Sequence, residues 1–86
     1  MFTVMKRKYL SELVRGERGR VAVLRCEGAI RHRFADLGII PGAVIECIGV
    51  SPMGDPRAYL IRGKTVAIRN SGARGIVVEV DFLPEK

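Results

Sequence analysis

Eighty-six residues suffice for one small domain and leave no room for a large enclosed active site. The 15 Lys and Arg against 9 Asp and Glu give a net charge of +6, which suits an anionic partner, whether nucleic acid, phospholipid or an acidic protein face. No run approaches the ~18 apolar residues of a membrane-spanning helix, and "MFTVMKRKYL" at the start has a basic triplet without the apolar segment of a secretory leader, so the expected location is cytoplasmic.

Glycine and proline fall between apolar runs and are not gathered in a linker. The chain therefore reads as one folded, turn-rich domain over 1–86. Cys26 and Cys47 are expected to be free thiols of a reducing compartment.

In chain order, "LSELVRG" (10–16) predicts one helical turn with Ser11 as its N-cap and Gly16 as its stop. "RVAVLRC" (20–26) reads as a strand. In "GAIRHRFADLG", Ile30, Phe34 and Leu37 share one face at helical spacing, with Arg31, His32, Arg33 and Asp36 off it, predicting a helix over 28–37.

"DLGIIPG" (36–42) then predicts a helix-to-strand corner. Gly38 takes the left-handed C′ position, Ile39 turns back to touch the last apolar turn, Pro41 forbids continuation and Gly42 allows the next strand to start. "AVIECIGV" (43–50), "RAYLIRG" (57–63), "KTVAIR" (64–69) and "IVVEV" (76–80) read as strands. The loop "SPMGDP" follows the first of them, a hinge lies near Gly63, and "NSGARG" is a turn that Asn70 caps. Apolar residues on both faces of several strands predict a mainly β protein with one short helix, five strands forming a small closed barrel.

The chemistry-bearing residues do not assemble into a catalytic pattern. "AYLIRGKT" (58–65) ends as a phosphate-binding loop does, but has Ala58 where glycine is needed, strand-forming residues between its ends and no helix after Thr65. His32, the only histidine, has Asp36 on the same helical face, an arrangement better suited to a surface pair than to a base and its orienting carboxylate. Cys26, His32 and Cys47 lack the close ligand pairs and the count of a structural zinc site. The acidic residues are scattered, so no enzyme activity, cofactor or metal site is expected. No nucleic-acid site is expected either, because the chain has no Trp and only Tyr59 among its aromatics lies in a barrel strand.

"LSELVRGERGRV", "GAIRHRFADLGIIPGAVIECI" and "SPMGDPRAYLIRGKTVAIRNSGARGIVVEV" resemble, in that order and over about residues 10–80, the FeoA family of ferrous iron transport proteins. Lys64 and Gly72 depart from that family's pattern, and Gly72 is expected to loosen the "NSGARG" turn. The resemblance implies an SH3-like barrel and a cytosolic accessory role for a ferrous iron permease that carries its own GTPase domain, exercised by protein–protein contact. The expected contact residues are Arg31, His32 and Arg33 on the helix and Gly54, Asp55 and Pro56 in the loop. For Asp55, holding its own turn is an equal alternative. A nucleic-acid-binding barrel and a metal-binding or metal-delivery protein are the alternative functions.

Overall fold

The computed structural model describes residues 4–82. Strands β1 (Val4–Tyr9), β2 (Arg18–Leu24), β3 (Val44–Val50), β4 (Arg57–Ile61), β5 (Lys64–Ile68) and β6 (Ile76–Phe82) form one antiparallel sheet in the order β1-β6-β2-β3-β4-β5. A 3-10 turn (Leu10–Glu12) follows β1, helix α1 (Ala29–Asp36) joins β2 to β3, and helix α2 (Asn70–Ala73) joins β5 to β6.

Two expectations are corrected. The strands number six, because the basic segment before Tyr9 is itself a strand, paired with β6 from Val4↔Phe82 to Tyr9↔Val77. Its charges hide it in the sequence: Arg7 faces outward onto Glu79, and Lys8 reaches Glu17 in the turn before β2. The perimeter, moreover, is not closed by strand pairing. Among the described residues the end strands β1 and β5 do not pair, and the gap is filled by the 3-10 turn and α2, which touch each other.

That gap is sealed by apolar packing and by hydrogen bonds to the backbone of the turn. Leu10 and Leu13 are fully buried, each a contribution of roughly 2–3 kcal/mol. The hydroxyl of Tyr59, also fully buried, donates to Leu10 O at 3.1 Å, and the Arg57 guanidinium donates to Leu13 O. The expected Ser11 cap is absent. Instead Glu12 reaches back to accept from Tyr9 N at 2.9 Å, a carboxylate being longer and charged where a serine is short and neutral.

Bulges set which side chains enter the core. In β2 the register shifts between Val21 and Val23, so Val21 and Leu24 both point inward, opposite Val78 and Ile76, while Val23 turns outward opposite Val77. Gly19 lets β2 lie close to this core, since a Cβ there would stand 2.8 Å from Val78 Cγ2.

The "DLGIIPG" corner forms as expected. Ile39 N donates to Phe34 O at 2.8 Å and Gly38 N to Ala35 O at 2.9 Å, the paired bonds of a Schellman cap. Gly38 has φ +93°, and Ile39 is buried in the same cluster as Phe34. Pro41 and Gly42 (φ +93°) are the central residues of a turn closed by Ala43 N donating to Ile40 O at 3.0 Å. The hinge at Gly63 is a two-residue hairpin in which Arg62 and Gly63 both have positive φ, matching the twist of β4 and β5.

The helical stripe is half right. Phe34 is buried and Leu37 partly so, but Ile30 is 54% exposed. The helix is anchored at its C-terminal end by the corner, and one turn earlier Ile30 faces solvent. The "NSGARG" segment forms α2 despite Gly72, whose missing Cβ would stand 3.3 Å from Phe34 Cζ: the glycine brings α2 against α1.

Gly38→Val is expected to lower unfolding stability by about 1–2 kcal/mol or more, from the left-handed backbone and from crowding against Arg62 and Ile61; chemical denaturation measures it. Burial, with a smaller push from Cys47 and against an opposing pull from Arg57, raises the Tyr59 phenol from its ordinary 10.0 to about 12. Its stabilising contribution is therefore complete below pH 10 and is lost as pH climbs toward 12, by up to about 1.4 kcal/mol per pH unit. Tyr59→Phe is expected to cost about 1 kcal/mol at neutral pH and to show a shallower decline above pH 10 in denaturation at stepped pH.

Candidate docking surface around the second helix

The loop between β3 and β4 is built by its own backbone and by α2. Gly54 N donates to Ser51 O at 2.8 Å, and Ser51 N to Pro56 O at 3.3 Å. Asp55 Oδ1 accepts from Asn70 N at 2.9 Å, capping the first turn of α2 from across space. Asn70 Nδ2 donates to Gly54 O at 3.0 Å. Asn70 therefore does not cap its own turn. Its side chain holds the loop, and Asp55 supplies the cap. Met53 stands at the loop's tip, 91% exposed. Beneath the loop, Ser51 Oγ, Arg57 Nε and Asn70 Oδ1 are buried without a protein partner.

On the other side of α2 lies α1. Arg31, His32 and Arg33 are all exposed. The Arg31 guanidinium donates to Leu24 O at 3.1 Å and to Cys26 O at 3.5 Å, so this side chain ties the helix to the segment that leads into it. Among the described residues His32 and Arg33 have no side-chain partner, so they remain open to solvent. The structure thus brings the two expected groups of residues to the same small helix: Gly54 and Asp55 bind its first residue, and the helix bearing Arg31, His32 and Arg33 rests on Gly72 through Phe34.

Sequence reasoning gave Asn70, which fixes the loop, the role of capping its own turn, and it missed Arg57, which fixes the turn after β1. The signal for Arg57 was slight: a charged residue at a strand start, opposite Ile68 and Val50, where a half-buried guanidinium needs acceptors.

Cys47 is fully buried and its thiol lies 3.8 Å from Gly49 O; Cys26 is half-buried, and both thiols are free. Among the described residues no three His, Cys, Asp or Glu side chains converge as metal ligands would. No helix among them is long and apolar enough to cross a membrane.

The FeoA domain family matches residues 8–80. The chain belongs to that family. A FeoA protein from Chlorobium tepidum is 36% identical, with a TM-score of 0.80 over 85% of this chain and 70% of its own. A FeoA-like protein from Clostridium acetobutylicum is 34% identical, with a TM-score of 0.81 over 94% of this chain and 93% of its own. A zinc complex of Stenotrophomonas maltophilia FeoA is 29% identical, with a TM-score of 0.69 over 80% of this chain and 86% of its own; it is described as a procaryotic SH3 domain protein, and a role as a ferrous iron transport activating factor has been proposed for it. No curated protein matches the chain. The SH3-like architecture accords with the sheet described above. Of the two departures from the family's pattern, Lys64 is exposed at the start of β5, and Gly72 is the contact between the helices of this FeoA domain.

Asp55→Ala is expected to cost about 1 kcal/mol by leaving the first turn of α2 uncapped, and to loosen the loop while the sheet stays folded. Thermal melting together with the amide spectrum of residues 51–56 and 70–73 checks both effects.

Proposed function

We propose that this chain is an accessory protein of ferrous iron uptake that acts by docking on the GTPase-bearing cytosolic part of a ferrous iron permease, with no catalytic step of its own. Membership of the FeoA family supports the iron-transport role, as does the transport role proposed for the S. maltophilia relative. The observation that carries the docking reading is the pairing around α2. The exposed His32 and Arg33 and the braced loop of Gly54, Asp55 and Pro56 flank one short helix, so that a partner meets a rigid, cationic surface. Rigidity matters because surface already ordered before binding loses less entropy when it binds. A metal-delivery reading has no converging ligand set to support it among the described residues.

Because Arg31 carries backbone bonds, Arg33 is the cleaner probe. Arg33→Glu combined with His32→Ala is expected to weaken binding to the permease's cytosolic domain by roughly tenfold or more in calorimetric titration, with the melting temperature unchanged. Lys64→Glu, at the exposed start of β5, is expected to change affinity little. Equal affinity of the helix variant and the parent chain contradicts the assignment of this face.

A further inference from the structure

On the outer face of β1, β6 and β2 the register aligns two rows. Tyr9 lies opposite Val77, and Val77 opposite Val23; one row along, Arg7 lies opposite Glu79, and Glu79 opposite Arg20. The bulge in β2 creates the first row, since it turns Val23 outward and, two residues on, Arg25 with it. Arg25 is then held by its backbone, N donating to Gly75 O.

The result is an apolar stripe with cations on both sides. Tyr9 is 41% and Val23 37% exposed, large fractions for an aromatic and an aliphatic side chain on a sheet. Around Tyr9 and Val77 the surface dips into a cleft of about 230 Å³, also lined by Arg7, Lys8, Glu12 and Arg25. Three of the charged groups there are occupied. Arg7 pairs with Glu79 at 3.3 Å, Lys8 with Glu17 at 2.9 Å, and Glu12 accepts from Tyr9 N. Among the described residues the guanidinium groups of Arg25, in the cleft, and Arg20, at the stripe's other flank, have no partner.

We propose that this cleft is a second docking site, which takes one large apolar side chain of an extended protein segment flanked by acidic residues. Its volume is that of about one large residue. Tyr9 and Val77 offer that residue apolar surface, while Arg20 and Arg25 stand one to each side to receive carboxylates. Glu79 and Glu12, interleaved with the arginines, disfavour a continuous phosphodiester backbone and so favour an acidic polypeptide over nucleic acid. The cleft shares no lining residue with the surface around α2 and its test needs no permease, so the two readings stand or fall separately.

The probe is the acetylated, amidated peptide Asp-Glu-Phe-Glu-Asp, titrated into the full chain and followed by amide chemical shifts and calorimetry. The expected result is saturable binding, with shifts centred on Arg7, Tyr9, Arg25 and Val77. Affinity is expected to fall roughly tenfold for Asp-Glu-Ser-Glu-Asp and roughly tenfold for Arg25→Gln, a variant whose remaining amide spectrum is unchanged. Shifts centred elsewhere, or no saturable binding, overturn the proposal. So do oligouridylate or inorganic phosphate, if either shifts the same amides with equal affinity, because the site then reads charge alone.

Discussion

The hydroxyl of Tyr59 meets the carbonyl of Leu10 across the one break in the sheet's hydrogen-bonded perimeter, and the rest of the fold is arranged to keep that meeting dry. A sheet whose end strands do not pair must cover its interior some other way. Here the cover is a three-residue turn in which Leu10, and Leu13 just after it, fall inward, clamped by Tyr59 and Arg57 from β4. The turn is in turn braced by Glu12 on its own first amide and by the Lys8–Glu17 pair beneath it. Burial works against the Glu17 carboxylate, but the Lys8 ammonium and the Val14 amide outweigh it and hold the carboxyl below its usual range. The same cover touches α2, so that sealing the core and placing the proposed docking surface are one structural event.

This coupling explains why the docking face proposed around α2 consists of connections and not strands. The β3–β4 loop, α2 and α1 hold one another through side chain-to-backbone bonds and one aromatic contact, and the sheet supplies only their anchor points. A chain this small has much of its surface outside, and its surplus positive charge lies there: Arg33 beside α2, and Arg20 and Arg25 across the outer face of the sheet. Exposed cations raise the rate of encounter with acidic partners, while the shaped apolar contacts between them decide which encounters last.

Much of the fold was legible in the sequence because its strongest signals are local. Gly38 with Ile39 specifies a helix cap, and Pro41-Gly42 specifies a turn; both depend on dihedral preferences that hold in any context. The strands after residue 43 are apolar enough to announce themselves. What stayed hidden depends on partners distant in the chain. β1 is a strand because Glu79 and Glu17 receive its charges, and nothing within residues 4–9 foretells that. Ile30 keeps helical spacing with Phe34 yet is exposed, because periodicity gives a face but not how far the neighbouring sheet extends beneath it. At the candidate site, the local roles of the expected residues were not legible. Asp55 proves to be a cap for α2, and Arg31 a strap across the chain entering α1, both bonds to backbone groups whose approach only the tertiary structure creates.

If the turn after β1 is the true closure of the core, it opens only when the whole sheet does. Amide hydrogen exchange on the intact protein tests this directly. The amide of Leu13, bonded to Leu10 O, is predicted to exchange as slowly as that of Cys47 in the middle of β3, both governed by global unfolding. Exchange at Leu13 that is orders of magnitude faster while Cys47 stays protected would mean the cover opens on its own, and would contradict an account in which closure of the core and placement of the surface are inseparable.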